Sequence, residues 1–68
     1  MTTPTVGTGT QSIDRAADLL ARVVRAPSPV TFTELAEVTG LARSTTSRLL
    51  SALERADLLA RDEQARWI

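Results

Sequence analysis

The sequence predicts a mainly α domain in which three helices are closed by a small β-hairpin, and three observations carry that expectation. Apolar residues recur at helical spacing between Ile13 and Val24 and again between Thr46 and Leu53. Gly40 punctuates the chain between them, and the polar Asp62-Glu63-Gln64-Ala65, of hairpin length, separates two short C-terminal segments. Sixty-eight residues allow one small domain. Cys and His are both absent, which excludes disulfides, the usual zinc sites and Cys or His chemistry. Stability must come from helix packing or from a partner.

Met1 to Gln11 holds five Thr, two Gly and one Pro, with only Met1 and Val6 apolar. Such a stretch cannot bury enough surface to offset its ordering entropy, so residues 1–11 are expected to form a tail and residues 12–68 the domain. Ser12 offers an N-cap and Asp14 suits the dipole of the first turn. Ile13, Ala16, Ala17, Leu20, Val23 and Val24 then form a one-faced stripe, widened by Leu19, until Pro27 and Pro29 stop the helix. That stripe is core, with a second surface toward a partner as the alternative. Val30 to Phe32 is long enough only for a short edge strand. Thr33 can cap a second helix, with Leu35 and Ala36 facing inward and Gly40 supplying a left-handed end. A third helix is expected from about Arg43 to Ala56, with Thr46, Leu49, Leu50 and Leu53 inside. Leu58 to Arg61 and Arg66 to Ile68 complete the hairpin, with Trp67 covering the core.

Eight Arg balance eight acidic residues, so the net charge is zero, and a nucleic-acid reader would have to segregate its cations. They are segregated: from Val38 to Leu53 there are two Arg and no acidic residue. Ala36, Gly40, Thr46 and Leu49 have the spacing of a helix-turn-helix, the small residue allowing close approach and the glycine making the turn. An ordinary helical hairpin is the plainer alternative. The outer side of the third helix favours the former, because Arg43, Ser44, Thr45, Ser47, Arg48 and Ser51 bring short hydroxyls and arginines together. Hydroxyls let a helix settle into a major groove and bond phosphates, and an arginine can grip guanine O6 and N7 with two bonds. Ser44 has a competing use as a helix cap, and Arg55 as an ion-pair partner of Glu54 or Asp57. Arg48 has no acidic residue three or four positions away. The carboxylates form no acid/base pair, so no catalytic residue, cofactor or metal is expected and the chain is read as no enzyme.

From Gln11 to Asp62, QSIDRAADLLARVVRAPSPVTFTELAEVTGLARSTTSRLLSALERADLLARD, the chain resembles the N-terminal winged helix-turn-helix of the IclR (isocitrate lyase regulator) family of bacterial transcription regulators. QSIDRAADLL discriminates, since ELAEVTGLARSTTSRLL also suits other winged-helix repressors such as the sugar-responsive ROK type. The resemblance implies operator binding as a dimer, the third helix in the major groove, a wing on the backbone, and Arg43, Ser44, Thr45, Ser47 and Arg48 at DNA. Asp57 stands where the family commonly has Gly, and the 62–65 turn lacks the usual Gly and adds two acids. The family's large effector-binding domain has no counterpart here.

The expected function is therefore sequence-specific binding of double-stranded operator DNA by a cytoplasmic repressor. A winged-helix interaction or dimerisation module without DNA specificity is the competing reading. Self-association is expected to be weak and to use the first helix. No membrane contact is expected, and no small-molecule effector, since three short helices and a hairpin leave no hollow of roughly 300 Å³.

Overall fold

The computed structural model describes residues 10–68; the expected tail lies, for its first nine residues, outside them. Helix α1 spans Gln11–Arg25, α2 Phe32–Thr39 and α3 Arg43–Arg55, and each packs against the other two. The N-cap of α1 is Thr10 and not Ser12, and its side chain makes no cap bond to the backbone.

The core is Leu19 and Val23 of α1, Leu35 of α2, Leu50 and Leu53 of α3, and Leu59 and Trp67 from the C-terminal segment. This corrects the α1 stripe. Leu19 is fully buried, whereas Ile13, Ala17 and Val24 are exposed. At about 100° per residue, the apolar arc runs from Leu19 through Val23, Ala16 and Leu20 to Ile13, Val24 and Ala17, some 160° in all. Two neighbouring helices cover only its first part, so the remainder faces outward. On α3 the expected side is inside, with Leu50 and Leu53 buried and Leu49 half-buried. Thr46 is fully buried among them, and its hydroxyl donates to the Ala42 carbonyl at 3.0 Å, so no polar group is orphaned.

Helix α2 starts two residues earlier than a Thr33 cap requires. Thr31 is the N-cap: its hydroxyl accepts from the Glu34 N–H at 3.1 Å while the Glu34 carboxylate accepts from the Thr31 N–H at 2.9 Å. This reciprocal box needs Glu three residues after the cap, which Thr31 has and Thr33, followed by Ala36, lacks. Phe32 thereby becomes the first helical residue, and of the expected edge strand only Val30 pairs. At the other end Gly40 takes φ +70°, and nothing lies within 4 Å of where a Cβ would be. The turn needs glycine for its left-handed backbone, not for space. The Thr39 hydroxyl donates to the Leu35 carbonyl at 2.7 Å and accepts from the Leu41 N–H at 3.4 Å, tying α2 to the turn.

Helix α3 ends in a Schellman arrangement: Asp57 N–H donates to the Glu54 carbonyl and Leu58 N–H to the Leu53 carbonyl, both at 3.0 Å. Asp57 occupies the left-handed position at φ 62°. The expected β-hairpin is not formed as a sheet. Among the described residues the pairing is of isolated antiparallel bridges, Val30 with Trp67 and Arg61 with Trp67, beside which Ala60 and Ile68 exchange two backbone hydrogen bonds and the Asp62 N–H donates to the Arg66 carbonyl. Only six residues lie between Arg61 and Ile68, and Ala65 adopts φ 61°, so the two arms of the turn are short. Trp67 nevertheless covers the core as expected, at 6% exposure.

A candidate nucleic-acid interface on the third helix

Helix α3 begins without the devices that usually start a helix. Its N-cap is Ala42, no side chain caps it, and no acidic residue lies in its first turn. Ser44 is thus an exposed residue inside the helix and not its cap. At about 100° per residue, Arg43, Glu54, Ser47, Ser51, Ser44, Arg55 and Arg48 fall in that order within about 140° of arc, which begins about 20° from Leu50 and runs away from Thr46 and Leu53. Arg43, Ser44, Ser47 and Arg48 are exposed and Ser51 is half-buried. Thr45 falls about 60° beyond Arg48 and is half-buried. Five of the six residues expected at DNA therefore share one face, and Thr45 marks its border.

The arginines differ in their surroundings. Arg43 lies over the ring of Phe32, its guanidinium carbon 4.7 Å from the centroid. Arg61 lies over Trp67 at 5.3 Å and donates to both carboxylate oxygens of Glu54, at 3.2 and 3.3 Å. That ion pair corrects the expected pairing of Arg55 with Glu54 or Asp57. Glu54 points toward the C-terminal segment, so among the described residues Arg55 has no ion pair and extends the cationic face.

Asp62 is spent within its own turn. One carboxylate oxygen accepts from the N–H groups of Arg66 and Gln64, at 2.8 and 2.9 Å, and the other from the Arg66 guanidinium at 3.0 Å. The Arg66 N–H first, then its side chain and the Gln64 N–H, hold this carboxyl below the usual range despite an opposing desolvation. A shallow hollow of about 280 Å³ lies between α3 and this turn, lined by Ser47, Ser51, Phe32, Arg61 and Trp67. Nothing in the sequence pattern marks Phe32 or Arg61 as site residues. The Arg61 contact follows from the pairing of Asp62 with Arg66, which sets positions 61 and 67 opposite each other. The Phe32 contact depends on how α2 docks against α3, and no local spacing reports that.

A second hollow, an open groove of about 590 Å³, runs between α1 and α2, with Arg22, Arg25, Glu34 and Val38 on its walls. It corrects the expectation that nothing of 300 Å³ would be left: the loop of Ala26, Pro27, Ser28 and Pro29, bent at Pro27 and Ser28, forms part of its wall between the two helices.

Residues 12–63 match the family model described as the IclR helix-turn-helix domain. The chain belongs to that family. Among curated relatives, the IclR domain here is 46% identical over 52 residues to the HTH-type transcriptional regulator Rv1719 of Mycobacterium tuberculosis. The alignment covers 76% of this chain and 20% of that protein, so the chain spans about a fifth of its relative's length. No solved structure matches. Membership in the IclR helix-turn-helix family makes the chain a DNA-binding domain of transcription regulation, a role that is not enzymatic. No helix among the described residues is long and apolar enough to cross a membrane.

Proposed function

We propose that this chain reads a specific operator sequence by placing α3 in the major groove, as the reader of a repressor in the bacterial cytoplasm. The observation that carries this reading is the α3 face: arginines and hydroxyls within one arc, whose one acid, Glu54, is taken up by an ion pair with Arg61, presented by a helix-turn-helix of the IclR family. Arg48 sits far enough along the helix to reach base edges, while Arg43, Ser44, Ser47 and Ser51 contact the backbone and Thr45 borders them. The bridged turn around Asp62 to Arg66 serves as the wing. Residues 12–68 are the reading unit, entered through Thr10 and Gln11, the cap and first residue of α1. Repression is the mode that needs nothing beyond occupancy of a promoter.

Two copies are proposed to associate through the outward part of α1. Ile13, Ala17, Leu20 and Val24 are spaced four, three and four residues apart, the repeat by which paired helices bury a seam. Antiparallel pairing sets Ile13 against Val24 of the other copy and Ala17 against Leu20. The same register puts Asp14 and Arg25 on one flank, each within a turn of its opposite charge across the pair.

Selection from random duplex DNA tests the reading, followed by a salt series on the winning site. Recovery of a defined sequence whose affinity falls steeply with salt is expected. Recovery of no preferred sequence would leave an interaction module and remove the reading.

A further inference from the structure

We infer that Phe32, on α2 and outside the reading helix, is a positioning residue for DNA binding that acts through Arg43. The inference rests on the DNA-reading role of α3. Arg43 is the first residue of that helix, where a cation opposes the macrodipole and where Ala42 supplies no cap. No ion pair of Arg43 occurs among the described residues, so neither local helix energetics nor a carboxylate accounts for where its side chain lies. The contact recorded for it is the face of Phe32, at 4.7 Å.

That contact is supported from below. The Thr31–Glu34 box fixes the start of α2, and with it the backbone of Phe32. The ring is half-buried and packs against the core, so its exposed face is a fixed platform. A guanidinium lying on a ring keeps its N–H groups at the edges, free to donate. Arg43 is thereby held beside the first turn of α3, whose leading N–H groups have no intrahelical partner. Guanidinium and N–H groups together suit one backbone phosphate, a contact that fixes register and is indifferent to base sequence. Without the ring, the arginine keeps its charge but must be ordered anew at each binding event.

The test is a double-mutant cycle on the duplex recovered by selection and on a scrambled duplex. Phe32→Leu, which keeps an apolar side chain but removes the ring, is expected to weaken binding about two- to fivefold on both duplexes, the range of an exposed cation–π contact. The salt dependence should hardly change, because the charge of Arg43 remains. Arg43→Ala should weaken binding further and lower the salt slope by about one. In the Arg43→Ala background, Phe32→Leu should have no further effect, and Phe32→Tyr should bind like the parent. An equal loss from Phe32→Leu with and without Arg43, or failure of Phe32→Tyr to restore binding while its thermal midpoint matches the parent, overturns the inference. Failure of the parent itself to prefer any duplex strikes the DNA-reading role instead, so the two outcomes are distinct.

Discussion

At the scale of single residues, the two sides of α3 separate stability from recognition. Leu50 is fully buried at the centre of the core, and Leu50→Ala should cost about 2 to 5 kcal/mol, enough to unfold much of so small a domain. Ser51, one position on, lines the hollow over the reading face; Ser51→Ala should shift stability by less than about 0.5 kcal/mol while weakening DNA binding. Thermal melts beside binding isotherms check both. Arg48→Ala should cost roughly 1 to 3 kcal/mol on the preferred duplex and relax preference at one base pair, and equal losses on every sequence would reduce Arg48 to a phosphate contact. The inner residues of α3 were legible because a buried side repeats at helical spacing. Phe32 was not, since its distance from Arg43 along the chain says nothing of a ring beneath a guanidinium.

At the scale of elements, the helices were read well and their ends less so. Gly40 was legible because a left-handed residue between two apolar stripes has few candidates. The apolar pattern of α2 begins with Leu35 and so points to Thr33 as its cap, although the Thr31–Glu34 box is equally present in the sequence. The hairpin is reduced to bridged pairs and no sheet, since few residues flank a turn without glycine. That turn makes a prediction. Ala65 and Asp57 both hold positive φ, at 61° and 62°. Ala65→Gly should stabilise the fold by about 0.5 to 1 kcal/mol, with a smaller gain for Asp57→Gly because Asp tolerates this region better. Denaturant midpoints give the order. The same turn carries an acid-sensitive clasp. Asp62 is held below its ordinary pKa in the folded chain, so its contribution is complete above the unfolded value of about 3.9 and is lost as pH falls through the lower folded value. Melts in acid should show a steeper loss for the parent than for Asp62→Asn over that window, and parallel curves would mean the clasp contributes nothing.

At the scale of the whole molecule, net neutrality conceals two differently built surfaces, a cationic face on α3 and an apolar strip on α1. Periodicity reports that a side of α1 is apolar without reporting how much of it neighbouring helices can cover, which is why core and partner surface both remain open in the sequence. Ile13 and Val24 remain 67% and 68% exposed, which makes them usable probes of pairing that leave the core intact. A seam of four such residues on one helix falls well below the roughly 1,200 Å² of a stable interface, so free chains should sediment as monomers at micromolar concentration. DNA changes the balance. Two half-sites one helical turn apart hold two copies at high effective concentration, where even a weak seam contributes. A palindromic duplex should therefore be filled cooperatively, and Ile13→Glu with Val24→Glu should abolish that cooperativity while leaving affinity for a single half-site unchanged. Sedimentation with and without the palindrome, beside half-site titrations, resolves the alternatives. A tight dimer without DNA would mean that more than this seam holds the copies together, and undiminished cooperativity in the double variant would place the contact elsewhere than on α1.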